Sequence, residues 1–500
     1  MQENTNRAIV INSIVLYVRL FVTAICGLLT TRFALQALGI DDYGLFSVVG
    51  GIISFIAIFN TIMLSTSNRF IATAIGKKDP GLINATFNVN LIIHLTIALL
   101  TILVAFPLGE WYIARYVTYS GELTNVLMVY RISIIGSVIS FIGVPYNGLL
   151  LAKERFFLFC STDIISSIIK TIVSYSLIFY FSDKLMAYTW TICVTTAYPT
   201  LVFAVYCIKK FPDITKFMLV RDKQMYRSVF SFSVWIAYGA LATVGKSQGA
   251  ALIINRFFNT AMNTALGVAN SVNSLLLSFA NNVHKSIAPQ IVKSYAAGEL
   301  ERSENLVILS SKVSYLMMLA ISSPFIVAPD FLFGLWLSTI PDYVILFTYL
   351  LIADALVGSL NAGIPDLIFA TGKIKAYQLI VNTIFIFSIV VGFFVLKVGL
   401  PAYYLQVTYI VFSIIVLGVR QIVLNKVVRF NNWRLIKESY LPCILVTLLF
   451  IPSVLANLIL HPVACILISV LYLVVLVYYV GMSKSERKTF QSFVKSKLRI

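Results

Sequence analysis

Four basic residues, Arg19, Arg131, Lys170 and Lys246, stand inside apolar segments that would have to bury them. A Lys or Arg at the centre of a membrane-spanning helix costs about 2.5–3.5 kcal/mol on insertion scales, so each must face a cavity or a partner. The chemistry such residues offer is anion binding, Arg as a planar bidentate fork for phosphate and Lys as a mobile point charge. Polar residues gather round them at helical spacing. Asn12, Arg19, Thr23 and Thr30 recur at steps of 7, 4 and 7, which a 3.6-residue turn puts on one face. Asp163, Ser167, Lys170 and Ser174 do the same, and a seven-residue gap rises about 10 Å, too far for an easy Asp163–Lys170 pair. Gly239, Ala242, Lys246 and Gly249 form a third face, and Asn263, Asn270, Ser274 and Asn281 a fourth. Together these faces are expected to line a cationic cavity. For Arg19 and Lys246 the bland alternative is pairing with a carboxylate elsewhere. Arg131 is near enough to its helix end to snorkel to the interface.

Acidic candidates are fewer. Asp354 heads the face Asp354, Gly358, Asn361, Pro365 and reads either as a counter-ion for Lys246 or as a proton or sodium site; Asp163 is the other ion-coupling candidate. His94, with neutral neighbours, reads as a packing residue. Histidines at 94, 284 and 461 have no metal-ligand spacing, and neither GxSxG nor a phosphate-binding glycine loop occurs. The six cysteines lie within or at the ends of apolar segments without paired spacing, as free thiols would. No enzyme, metal or cofactor is expected.

The elements that position these residues follow from composition. The chain of 500 residues is 59% hydrophobic and 12% charged, against roughly 25% charged in soluble domains. About 20 apolar residues span a bilayer. Cutting at polar and Pro/Gly breaks gives fourteen segments, at about 9–37, 44–67, 82–107, 123–151, 157–181, 185–208, 228–257, 264–288, 306–330, 342–371, 375–397, 400–424, 440–459 and 461–481. The first lacks a convincing cleavage site and should remain as a helix. Two marks repeat along the chain. Gly143-Val144-Pro145 runs to Lys153 as Gly363-Ile364-Pro365 runs to Lys373, and Asn60 precedes Gly76 as Asn282 precedes Gly298. Helices 1–6 and 7–12 are therefore expected to be parallel repeats, followed by two extra helices. The expected domains are residues 1–208, a cytoplasmic amphipathic linker at 209–227, 228–424, the extra pair at 425–481 and a basic tail at 482–500.

With the N-terminus cytoplasmic, 29 of the 38 Lys and Arg fall at cytoplasmic ends and only Arg32, Arg115, Lys184, Arg256 and Lys397 fall outside. That asymmetry predicts cytoplasmic N- and C-termini. The net charge of +18 thus reports topology and contact with anionic lipid, and a nucleic-acid partner is not expected.

The segment Leu38-Gly39-Ile40-Asp41-Asp42-Tyr43-Gly44-Leu45-Phe46 resembles the "LG..(D/E)YG" signature of bacterial polysaccharide transporters and O-antigen flippases, within the multidrug/oligosaccharidyl-lipid/polysaccharide (MOP) exporter superfamily. The six-plus-six-plus-two layout and Leu151-Ala152-Lys153 closing helix 4 are similar too, so the resemblance covers the whole chain. It implies an all-α polytopic protein of the bacterial inner membrane, two six-helix bundles in a V. It also implies movement of an undecaprenyl-pyrophosphate-linked oligosaccharide between leaflets by alternating access, with Arg19 and Lys246 in the basic lumen. The partners implied are that lipid-linked substrate, membrane lipids and the polysaccharide polymerase machinery. Two alternatives on the same fold stay open. A cation-coupled multidrug exporter would want carboxylates in the cavity, which helices 1, 2, 7 and 8 scarcely carry, whereas a peptidoglycan-precursor (lipid II) flippase shares the anionic substrate. A glycan polymerase would need an outside loop longer than residues 108–122.

Overall fold

The computed structural model describes residues 2–76, 79–119, 121–153, 155–371, 374–455, 461–484, 486–488 and 491; the side chains of residues 2–17 and of some further helical positions lie outside that description. Among the described residues the chain is almost wholly helical, with no strand. Among the described residues eleven helices are long and apolar enough to cross a membrane, and the protein is a multi-pass membrane protein. Helices suit this setting because every backbone polar group is satisfied within its own segment.

Residues 1–268 with 337–341 form one compact unit, and 269–336 with 342–500 a second. Unit 1 opens with α1 (Gln2–Gly76), which joins the first two expected helices through a kink at Gly39, φ 79° and ψ −176°. That backbone conformation is open to glycine and closed to nearly every other residue. There follow α2 (Pro80–Leu100), a π turn at Thr101–Ala105, α3 (Phe106–Tyr116), α4 (Leu123–Ala152), α5 (Phe156–Tyr180), α6 (Lys184–Lys210), the short α7 (Pro212–Thr215) and α8 (Lys223–Phe257). Helix α9 (Thr260–Ala296) begins in unit 1 and ends in unit 2. Asp79, Asp183 and Asp222 cap α2, α6 and α8, each carboxylate accepting from a backbone N–H of the first turn. Three of the chain's few carboxylates are thereby used in building helices.

The linker is helical only over Pro212–Thr215. Asn84 and Asn88 of α2 hold its backbone, their amide groups donating to the carbonyls of Asp213, Ile214 and Lys216, while Phe217, Met218 and Leu219 stay exposed. Its apolar residues sit on an irregular strap rather than along an amphipathic helix.

Unit 2 continues with α10 (Leu300–Val327), α11 (Pro329–Trp336), α12 (Val344–Ser359), α13 (Ile364–Ala370), α14 (Ile374–Lys397), α15 (Tyr404–Val428), α16 (Asn432–Leu435), α17 (Leu441–Phe450), α18 (Pro452–Leu455) and α19 (Pro462–Leu476), with π turns at Ile436–Tyr440 and Val477–Gly481. The repeated Gly-x-Pro mark folds differently in the two units. Helix α4 runs unbroken through Gly143 and Pro145. The corresponding stretch of unit 2 breaks between α12 and α13, with Gly363 at φ 85° and the buried Ser311 hydroxyl donating to the Leu360 carbonyl at 2.7 Å. A side chain from α10 thus satisfies a backbone group that the break frees, as apolar surroundings require. All six cysteines are buried free thiols.

Candidate functional site

Helices α1 and α5 meet through polar side chains. The Arg19 Nε donates to Asp163 Oδ2 at 2.6 Å, and Nη2 of the same guanidinium reaches the same oxygen. Phe159, one helical turn before Asp163, lies 4.8 Å beneath the guanidinium carbon, a spacing that adds cation–π attraction. Further along, the Thr30 and Thr171 hydroxyls are 2.9 Å apart, and Thr171 also approaches the Cys26 carbonyl. Arg19 and Thr30 of the first stripe thus meet α5, at Asp163 of the second stripe and at Thr171 beside it. Arg19, a substrate-binding candidate, and Asp163, an ion-coupling candidate, are brought together as one ion pair, each side chain about one-third exposed.

Lys170 lies on the Asp163 face of α5, as does Ser174, which is fully buried. Ile165, Ile168, Ile169 and Ile172 are exposed on the opposite side. Lys170 thus looks toward the protein interior. Among the described residues no carboxylate pairs with it; Asp163, seven residues away, pairs with Arg19. Lys246 is half-buried on α8, one turn from the buried Ala242. The same helix comes close to α1, where a Cβ on Gly51 would stand 3.2 Å from the Gln248 carbonyl oxygen. Small residues here serve close helix approach.

The Leu38–Phe46 signature is a clamp. Gly39 makes the kink. Asp41 accepts from the Thr260 hydroxyl at 3.0 Å and Asp42 from the Tyr119 hydroxyl at 2.5 Å, while the Thr264 hydroxyl donates to the Ile40 carbonyl. Burial, and then the bond to Asp42, raise the Tyr119 phenol above its ordinary range. At Gly44 a Cβ would fall 2.1 Å from the Thr260 carbonyl oxygen, so only glycine permits this approach. The buried Asn255 of α8 completes the clamp, its amide bonding both the N–H and the carbonyl of Thr118 at 3.0 Å. Spacing alone gave no sign of Thr260 or Thr264 as partners of the signature, or of Asn255 as the partner of Thr118.

Arg131 pairs with Glu110 of α3 at 2.5 Å with its side chain nearly half exposed, a surface pair. Asp354, in unit 2, accepts from the Ser413 hydroxyl at 2.5 Å. Asn270 is half-buried in unit 2, and the side chains of Asn12 and Asn281 lie outside the described residues. His94 is a packed residue with Nδ1 2.6 Å from the Asn90 carbonyl oxygen.

Two ionic groupings in unit 2 went unforeseen. His284 stands between Asp366, 3.2 Å from its Nε2, and Ser310, 3.0 Å from its Nδ1, beside the α12–α13 break. Lys312, its side chain 5% exposed, donates to Glu486 beyond the last spanning helix at 2.9 Å. Lys312 looks in sequence like one more basic residue near a cytoplasmic end.

No protein-family model matches the chain, and no curated protein does. Solved structures match in fold. The lipid II flippase MurJ in an inward closed conformation superposes with a TM-score of 0.66 at 14% identity, covering 94% of this chain and 99% of that one. An inward-facing multidrug resistance MATE family transporter of the MOP superfamily gives 0.63 at 13% identity, over 82% and 98%. The MATE multidrug transporter DinF-BH gives 0.63 at 16% identity, over 85% and 97%. Identities this low speak for the fold, and the fold is one shared with MOP-superfamily transporters.

Proposed function

We propose that this protein is a flippase that carries an undecaprenyl-pyrophosphate-linked oligosaccharide across the bacterial cytoplasmic membrane for surface polysaccharide synthesis. Both termini would lie in the cytoplasm, and the site would open first to one side of the membrane and then to the other. The observation that carries this reading is Lys170, a cation within a spanning helix, on its inward face, without a carboxylate partner among the described residues. Fixed positive charge in a low-dielectric surrounding attracts an anion strongly and repels a cationic drug. The pyrophosphate would meet Lys170, with Lys246 a second cation of the same unit, while the polyprenyl chain stays in lipid and is spared transfer through water. On the charge asymmetry of the loops the Asp41–Thr260 and Asp42–Tyr119 clamp is extracytoplasmic, where it would hold unit 1 closed on that side.

Deleting the gene and analysing extracted lipids by mass spectrometry tests the reading. Accumulation of one complete lipid-linked repeat unit, with loss of surface glycan, is the expected result. Unchanged glycolipids with new sensitivity to cationic drugs would make the protein a multidrug exporter instead. Lethality with accumulated peptidoglycan precursor would make it a lipid II flippase.

A further inference from the structure

Within unit 1 a cavity of about 270 Å³ lies among α1, α4 and α6, lined by Asn60, Ser140, Asn147, Thr196, Thr200 and Phe203, with Leu64 and Val144 beside them. Among the described residues no charged side chain lines it. The Asn60 Nδ2 donates to Ser140 Oγ at 2.9 Å, which leaves its Oδ1 buried without a partner among the described residues, and the Asn147 Oδ1 is likewise unpartnered among them. With either assignment of the Asn60 amide, one of its ends remains unsatisfied.

The hydroxyls repeat this pattern. Thr189, Thr191 and Thr195 of α6 donate to the carbonyl one turn back, the usual resort of a hydroxyl in an apolar helix. Thr196 and Thr200 make no such bond among the described residues and face the cavity instead. Gly143 makes room for one of them, since a Cβ there would lie 2.3 Å from Thr200 Oγ1. Pro199 interrupts the α6 ladder at this level, and Ser166 takes the Thr195 carbonyl it frees, at 2.8 Å. The wall is therefore shaped at several points to present neutral oxygen and nitrogen inward.

Size and charge restrict the occupant. A single water needs about 10–15 Å³ of such space and drug-sized ligands fill pockets of roughly 300–1,000 Å³, so this volume is far more than one water needs and suits a single small ring. Stripping a carboxylate or ammonium of water with no opposite charge in the wall would be costly. Unpaired amide oxygens ask for donors, which hydroxyl groups supply. Phe203, Leu64 and Val144 offer an apolar surface of the kind that packs against the C–H face of a pyranose.

We propose that this cavity seats one uncharged sugar residue of the transported oligosaccharide, a neutral hexose or N-acetylhexosamine, with Asn60, Asn147, Thr196 and Thr200 bonding its hydroxyls. The assignment rests on the flippase reading and adds the part of the substrate that unit 1 recognises. It gives the unit a neutral subsite distinct from the cationic Lys170.

The test is saturation-transfer NMR on the full-length protein in nanodiscs, free of sugar-based detergent, with glucose, N-acetylglucosamine and glucuronic acid as probes. Saturation of the neutral sugars and little of glucuronate is expected. Asn147→Leu and, separately, the volume-conserving Thr196→Val should each weaken binding roughly fivefold, as loss of a hydrogen-bond partner does, at an unfolding temperature near wild type. No saturation of either neutral sugar, or full saturation in both variants, would overturn the seat. A sodium-23 resonance broadened by the wild type and released in Asn147→Leu, with no effect of sugar, would make it a cation site and overturn it too. The gene-deletion lipid analysis separates the two levels. Lipid-linked oligosaccharide accumulating without sugar binding removes the seat and leaves the flippase, whereas no accumulation removes the flippase and the seat with it.

Discussion

Arg19 and Asp163, 144 residues apart, bind through Nε and Oδ2 at 2.6 Å with the Phe159 ring beneath the guanidinium. The pair fixes α1 against α5 and neutralises the one carboxylate on the inner face of α5. Its first consequence is for stability. Asp163→Asn leaves Arg19 without its counter-charge, which should cost about 1–3 kcal/mol, less than a fully buried pair because both side chains are partly exposed. Arg19→Leu combined with Asp163→Leu should recover most of that loss. Thermal unfolding in nanodiscs of wild type, Arg19→Leu, Asp163→Leu and the double variant gives the coupling energy directly, and a value near zero would mean that the pair does not hold the helices.

Lys170 should behave in the opposite way. Replacing it by Met removes an uncompensated charge from a spanning helix, so stability should hold or rise. If Lys170 meets the pyrophosphate, export should nevertheless fall at least tenfold, about 1.4 kcal/mol of lost interaction. The informative result is the split between the two readouts. A variant that loses export only in proportion to folded protein would mark Lys170 as structural.

How far the sequence carried depended on the range of each interaction. Polar stripes on α1 and α5 were readable because a face is set by local periodicity. Spacing alone speaks against an Asp163–Lys170 pair, but that Asp163 finds Arg19 144 residues away is a matter of helix packing, which no spacing encodes. The Gly-x-Pro mark was readable as a repeat, yet it breaks the helix at Gly363 and not at Gly143. The difference lies with neighbours such as Ser311 and Thr200 on other helices. Nothing in the local sequence sets Lys312 apart, since its partner Glu486 lies 174 residues away, past the last span. The Leu38–Phe46 motif was visible, but its grip on Thr260 and Thr264 joins residues more than 200 positions apart.

Glycine substitutions give a sharp contrast along α1. Gly44→Val would push a side chain into the Thr260 backbone, and overpacking of this kind costs about 1–3 kcal/mol or forces the helices apart. Gly27 has open space where its Cβ would go, so Gly27→Ala should be neutral or stabilise by up to about 1 kcal/mol through helix propensity. Unfolding temperatures of the two variants check this. Equal effects at both sites would deny that the signature is a close-approach clamp.

The Lys312–Glu486 pair predicts a pH dependence. Burial by itself raises the Glu486 carboxyl, but the Lys312 ammonium and the Ser483 N–H together outweigh it and hold the carboxyl below its ordinary value of 4.5. A carboxyl lowered in the folded state contributes stability above its unfolded pKa and loses it as pH falls through the folded value. The contribution should therefore be complete at neutral pH and be lost as pH falls below the ordinary value of 4.5 and through the lower value of the folded state. Glu486→Gln should remove it at every pH, leaving the buried Lys312 uncompensated at a cost of about 3 kcal/mol at pH 7, and its unfolding temperature should approach that of wild type only in acid. Lys312→Met together with Glu486→Gln should restore stability at pH 7, because no bare charge remains. If the single variant melted as wild type does from pH 7 to pH 4, the chain beyond α19 would not be anchored by this pair.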